Sequence, residues 1–248
     1  MTKRTIKKPP PTGADTIHWV EGGLQRSAKA DAAASMLALH TASLARAPQK
    51  FKGQSNYHGR IWMAGPEASV WHESMTEYSG LMLIDHLHDI RAIAPQPMLI
   101  TFADGRTHYP DFFAVHHTER RTVFDVHTTA MTDAAAEATF DATRRLCERI
   151  GWRYELLHEL DDVTKFNLEW IAAFRHWRYA PDETVRAMLL AAVEARPTFG
   201  ELRTALRTEK PGEHLAALYH LMWHREVGFD LHAPFNDRTP LWKGTIND

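Results

Sequence analysis

Tyr109-Pro110-Asp111-Phe112-Phe113-Ala114-Val115, followed by Thr122-Val123-Phe124-Asp125-Val126-His127, decides how this chain is read. Both runs are rich in aromatic and β-branched residues and predict neighbouring strands. Aspartate is disfavoured within strands, yet each run carries one, Asp111 and Asp125, fourteen residues apart. Asp111 precedes an apolar run and is expected inside its strand. Two carboxylates on adjacent strands point to a hard divalent cation. Mg2+ or Mn2+ takes carboxylate and carbonyl oxygens, neutralises a phosphate and deprotonates a bound water. The Val126 carbonyl supplies one more oxygen. His127, two residues past Asp125, shares its strand face and is placed to exchange a proton with the same water.

Upstream, Ser74-Met75-Thr76-Glu77 predicts a helix start, and Tyr78, Leu81, Met82 and Ile84 supply an apolar stripe. Glu77 has two readings here, a third carboxylate of the site or the last residue of a capping box. Glu73, four residues earlier on the same face, is the reserve. Pro95 and Pro97 break the chain near Gln96. Met98 to Phe102 reads as a strand and Asp104-Gly105 as a hairpin turn, with strand character resuming at Tyr109. Downstream, a helix from Thr132 to about Arg149 is stopped by Gly151, and Trp152 to Leu157 makes a fourth strand. By itself P-D-x(13)-D-x-H is a weak signal. Its weight comes from the order helix, three strands, helix, strand, which is an α/β pattern.

The rest of the chain divides around this core. The first eight residues are basic and run into Pro9-Pro10-Pro11, which reads as a solvated tail, with a phosphate-touching arm as the alternative. Ala28 to Ala47 is alanine-rich and predicts a helix. Residues 51–66 show strand-like spacing. From Phe166 helical patterns take over: Asn167 to Phe174, Pro181 to Ala195, Phe199 to Leu206 and Glu213 to His224. Gly228, Asp230, Pro234 and Pro240 then suggest a turn-rich β wing. The division is an N-terminal tail and helix over 1–49, a core over 50–165 and a helical, winged-helix-like part over 166–248.

Composition narrows the function. The 248 residues are 44% hydrophobic and 24% charged, ordinary values for a globular chain. No stretch reads as a membrane span or secretory signal, and Cys147 is the single cysteine, so a reducing cytoplasm is the expected location. A net charge of −2 implies that DNA contact needs a local patch or a partner that brings the DNA. Gly-rich phosphate loops, G-x-S-x-G, H-E-x-x-H and C-x-x-C are missing from the sequence. His86, His88, His116 and His117 lack ligand spacing and read as surface residues. Trp170, Trp177 and Trp223 read as core.

With Glu73-Ser74-x-x-Glu77, Asp89-Ile90-Arg91, Gln96-Pro97, Tyr109-Pro110-Asp111-Phe112 and Asp125-Val126-His127, the chain resembles the TnsA-like endonuclease subunit of heteromeric transposases. The motifs lie within roughly 50–160, with a looser likeness in the C-terminal helices. The resemblance implies a PD-(D/E)xK, restriction-endonuclease-like core followed by a winged-helix-like domain. It implies an Mg2+- or Mn2+-dependent DNA endonuclease that cuts the 5′ strands at transposon ends. A DDE-type transposase would cut the 3′ strands, and an AAA+ ATPase regulator would contact the C-terminal region. The site carries over as Glu77, Asp111, Asp125 and His127, with Val126 offering its carbonyl. His127 departs from the family, whose pattern has lysine there: a lysine is cationic at pH 7, an ordinary histidine mostly neutral. Two other readings are a catalytically weakened adaptor linking transposase and ATPase, and a stand-alone DNA-defence nuclease with the same core.

Overall fold

The computed structural model describes residues 6–7, 10, 13–46, 57–128, 133–206 and 211–244, which form two compact units. One unit comprises residues 1–81 and 89–159, the other residues 82–88 and 160–248. The second is therefore not a contiguous C-terminal tail, as the division at residue 165 had it. It also includes Met82–His88.

The first unit opens with strands β1 (Thr16–Glu21) and β2 (Leu24–Lys29), joined at Gly22-Gly23, whose φ values of 56° and 80° suit a tight hairpin. Next comes the hairpin of β3 (Gly59–Met63) and β4 (Ala68–His72), then helix α1 (Met75–Leu87). Strands β5 (Ile90–Pro95), β6 (Met98–Thr101), β7 (Thr107–His108), β8 (Phe112–His116) and β9 (Arg121–His127) follow. Helix α2 (Ala134–Ile150) then crosses to β10 (Arg153–His158).

Apart from β3–β4, these strands make two sheets, ordered β2-β1-β6-β7 and β10-β9-β8-β5. In the second sheet β9 is antiparallel to β8 and parallel to β10, a pairing that requires a crossover such as α2. Helix α2 starts at Asp133, whose side chain accepts from the Ala136 amide, and ends at Gly151 in the left-handed region (φ 89°). Its Ala142, Leu146, Cys147 and Ile150 share one core with Ile17 and Ile100 of one sheet and Phe113, Val115 and Val123 of the other. Val123 thus faces α2. By strand alternation so do Asp125 and His127, while Phe124 and Val126 face the opposite side.

Several expectations are corrected. Ala28 to Ala47 is no α-helix: it holds two 3-10 turns, Ala32–Met36 and Leu39–Thr41, because Ala30, Ala34 and Ala45 are buried as small spacers in the core. The runs around Met98 and Tyr109 lie in different sheets, with the short β7 completing the hairpin turned at Asp104-Gly105. Asp111 sits in a bend just before β8 rather than within it. The reading of the first eight residues falls largely outside the described residues. Ile6, however, is buried, and its amide donates to Ala45 O at 2.8 Å, so the chain is anchored there. Residues 51–56 of the strand-like run also lie outside, whereas Gly59–Met63 is a strand.

The second unit contains α3 (Asp162–Ala172), α4 (Glu183–Glu194), α5 (Phe199–Ala205), α6 (Pro211–Trp223) and the two-residue strands β11 (Val227–Gly228) and β12 (Trp242–Lys243), which pair antiparallel. Asp161, Asp182 and Thr198 cap the first three helices, Thr198 through a full capping box with Glu201. Trp170 packs on Tyr219 and Phe235 with ring centroids 4.5 Å apart in each pair. Trp223 is buried as expected, but Trp177 is 70% exposed. His86 and His116 are buried, not superficial. Each carries a hydrogen bond, His86 Nδ1 to Trp223 O (2.8 Å) and His116 Nε2 with Thr122 Oγ1 (2.8 Å).

Candidate active site

The predicted acidic residues converge at the end of β9, within the first unit. Asp111 arrives there because Phe112 pairs with Phe124 at the last rung of the β8–β9 ladder. Beyond that rung, side chains replace the backbone ladder. The Val126 amide donates to Asp111 Oδ2 (2.8 Å), and the Asp111 amide donates to Asp125 Oδ1 (3.1 Å). Along a strand the C=O of a residue points to the same side as its N–H, so the Val126 carbonyl also faces Asp111.

Asp125 is nearly fully buried and has two further donors on Oδ2: the Tyr154 hydroxyl at 2.8 Å and His108 Nε2 at 2.7 Å. Burial, and then the adjacent Asp125 charge, holds the Tyr154 hydroxyl well above its ordinary pKa, so it stays a donor. His127, predicted to share this site, makes no hydrogen bond to either aspartate. Its ring lies edge-on to Phe140 at 5.1 Å, and its Nε2 is buried with no partner among the described residues.

Glu77 lies in the first turn of α1, and both of its readings have a physical basis. Its amide donates to Ser74 Oγ (3.1 Å), and its Oε2 accepts from the Glu73 amide (2.7 Å), a capping box displaced by one residue. Burial, with the Glu73 charge adding to it, pushes the Glu77 carboxyl up to about 7. Asp111 is held well above the usual carboxylate range by burial first, then by the charges of Asp125 and Glu77. Asp111 thus feels the charges of both Asp125 and Glu77. Glu73, the reserve, is spent elsewhere: its Oε2 accepts from Arg46 Nη2 and Gln96 Nε2, both at 2.9 Å.

Three contributors were not anticipated, Arg46, His108 and Tyr154, and Gln96, quoted above only as part of a motif, gains a structural role. Gln96 is fully buried at φ 40°, donates its amide to Asp111 O (2.7 Å) and accepts from Arg46 Nε (3.1 Å). It ties the Asp111 bend to the start of α1. The Gln96-Pro97 motif and Pro95 before it were its signals in the sequence. Helix α1 approaches β9 closely at Gly80, where an added Cβ would lie 2.7 Å from Val126 Cγ2. No protein-family model and no curated protein matches the chain.

The chemistry of the donors indicates what the site can accept. Repelling carboxylates with raised pKa values, beside a carbonyl, form a hard-oxygen site that a divalent cation would relieve. Among the described residues no three His, Cys, Asp or Glu side chains form a ready-made metal shell, so the fit is one of charge and donor type. Glu77, Asp111, Asp125 and the Val126 carbonyl are the oxygens on offer, and each carboxylate already accepts at least one hydrogen bond. Two hollows elsewhere, of about 210 Å³ beside Arg106, Arg145 and Arg149 and about 460 Å³ beside Arg178, Asp182 and His214, include none of these residues.

Proposed function

We propose that this chain is a metal-dependent DNA endonuclease subunit of a heteromeric transposase, with a restriction-endonuclease-like core and a winged-helix-like second unit. One observation carries the reading. Half-buried Asp111 lies against buried Asp125, and both Asp111 and the buried Glu77 have raised pKa values, at the end of a strand whose sequence resembles the PD-(D/E)xK pattern. The order α1, antiparallel β8–β9, α2, parallel β10 supports the core assignment. The helices of the second unit followed by the short β11–β12 pair support the winged-helix one.

Mg2+ or Mn2+ would be held by Glu77, Asp111, Asp125 and the Val126 carbonyl, and would supply phosphate charge neutralisation and a more acidic water. Asp125 fixes the Asp111 bend through the Asp111 amide. Gln96 and Arg46 fix the distance between that bend and α1. Cutting is directed to the 5′ strands of transposon ends, with a DDE-type transposase acting on the 3′ strands and an AAA+ ATPase regulator engaging the C-terminal unit. The net charge of −2 agrees with a subunit to which partners bring the DNA.

The absence of a ready-made ligand set among the described residues, together with His127 in place of the family's lysine, favours one alternative, an adaptor with a weakened site. The deciding test combines the chain with the DDE-type transposase and AAA+ ATPase proposed as its partners and follows nicking of a transposon-end DNA with Mg2+ or Mn2+. Nicking lost on chelation supports the nuclease. Assembly of the three proteins without any nicking supports the adaptor.

A further inference from the structure

One pair of histidines in the chain has the helical spacing that metal sites use, His220-Leu221-Met222-Trp223-His224. Both belong to the second unit. His220 lies in the last turn of α6 and His224 just past its end. The His224 amide still donates to His220 O at 3.0 Å, so the helical register continues and the two side chains share a face. Their ring centroids are 4.4 Å apart, close to the roughly 4 Å that one ion spans when it binds a nitrogen on each side at about 2.0–2.1 Å.

The turn after α3 sets the tautomer of each ring. His220 Nδ1 lies 2.9 Å from Phe174 O, and His224 Nε2 lies 3.4 Å from Arg175 O. A carbonyl only accepts, so those two nitrogens carry the protons and the lone pairs are left on His220 Nε2 and His224 Nδ1. Neither of these has a hydrogen-bond partner among the described residues. His220 is 7% exposed, yet its Nε2 is not among the sealed, unpartnered buried atoms, and His224 is exposed. A ring whose other nitrogen donates to a backbone carbonyl is the form in which histidine ligates metal. Loss of water around the rings lowers the pKa of both, that of His224 to about 4 with the His220 charge adding to it, so neither lone pair holds a proton near pH 7. The charge of Glu226 acts on both rings against that of Arg225, but the carboxylate itself is engaged by Arg186 Nε at 2.7 Å.

We propose that His220 Nε2 and His224 Nδ1 form a two-histidine site for a borderline divalent ion, Zn2+ before others, with water in its remaining positions. Imidazole nitrogen suits Zn2+, Ni2+ and Cu2+, whereas Mg2+ takes oxygen, so this site and the acidic one select different ions. No third His, Cys, Asp or Glu completes it among the described residues. Through the two anchored rings a bound ion would tie the end of α6 to the Phe174–Arg175 turn. The inference does not depend on the nuclease reading.

Two measurements on the full chain test it. With sixteen histidines present, binding alone does not identify the pair. Long-range 15N–1H NMR, with signals identified by their loss in His224→Ala and His220→Asn, should show Nδ1–H for His220 and Nε2–H for His224 in the metal-free protein. Zn2+ should shift the bare nitrogens of both rings together and to saturation, and Mg2+ should shift neither. Hydrogen exchange, which needs no change at buried His220, should slow with Zn2+ at the end of α6 and at Phe174–Arg175. His224→Ala, at an exposed position, should weaken this effect at least about tenfold in the Zn2+ required, a loss that even a removed outer partner of a ligand can cause. Asp111→Ala should leave it unchanged. The opposite tautomer in either ring, a Zn2+ shift of one ring alone, or Zn2+ protection as strong in His224→Ala as in the wild type overturns the site. Protection lost in Asp111→Ala would assign the ion to the acidic site and overturn it as well.

Discussion

The Val126 amide donates to Asp111 Oδ2 at 2.8 Å, continuing the β8–β9 pairing one step beyond its last backbone rung with a side chain in place of a carbonyl. Asp111 is thereby placed by β9 rather than by its own strand. Its position depends on how α1 supports Val126 from the other face.

Gly80→Ala tests that support. Alanine is the better helix former by about 1 kcal/mol. Its Cβ, however, would come 2.7 Å from Cγ2 of Val126, a β-branched residue fixed in a strand. Overpacking of this kind costs about 1–3 kcal/mol, so the substitution should lower the thermal midpoint despite the propensity gain. A raised midpoint would mean that β9 yields easily.

Glu77→Gln separates the two roles of Glu77. Glutamine can still accept from the Glu73 amide, so the helix start is kept. Cleavage should be lost while stability near pH 7.5 is kept or increased. Full activity would return Glu77 to a purely structural role.

The two units should respond to pH in opposite directions. A carboxyl raised from 4.5 to about 7 in the folded state gives stability that is complete below pH 4.5 and lost as pH rises through 7, on the order of 3 kcal/mol for Glu77. His86 is buried and lowered from 6.5 to about 4, so its contribution is complete above pH 6.5 and lost as pH falls through 4. Hydrogen exchange of the metal-free protein should show the first unit weakening from pH 5 to 7.5 and the second weakening from pH 6.5 to 4. Glu77→Gln should flatten the first trend. Parallel trends in the two units would contradict this.

His127 can be tested by substitution. His127→Phe removes a buried nitrogen that has no partner among the described residues, a group that costs about 1–3 kcal/mol to leave unpaired, and should raise the thermal midpoint. Cleavage should stay within several-fold of the wild type, and His127→Lys should match or exceed it. An inactive His127→Phe would place proton transfer at His127.

Much of this site could be read from the chain, because strand alternation and turn chemistry are local. Asp111, Asp125 and Val126 were placed by two apolar runs, and Glu77 by Ser74 three residues before it. The missing parts are non-local. His108 and Tyr154 reach Asp125 only because β7 and β10 come to it from different sheets, and Arg46 meets Glu73 across 27 positions. The β1–β2 hairpin carried a signal in Gly22-Gly23 that the alanine-rich stretch beyond it obscured. There, burial of Ala30, Ala34 and Ala45 overrode helix propensity.

Asp111→Ala tests the site most directly, by single-turnover nicking of a transposon-end substrate with Mg2+ or Mn2+ and the partner proteins, alongside the thermal midpoint of the metal-free chain. Removing Asp111, which feels the charges of both Asp125 and Glu77, should leave the midpoint unchanged or higher while cation-dependent nicking falls to the chelated background. Nicking by Asp111→Ala at the wild-type rate would contradict the assignment of this site.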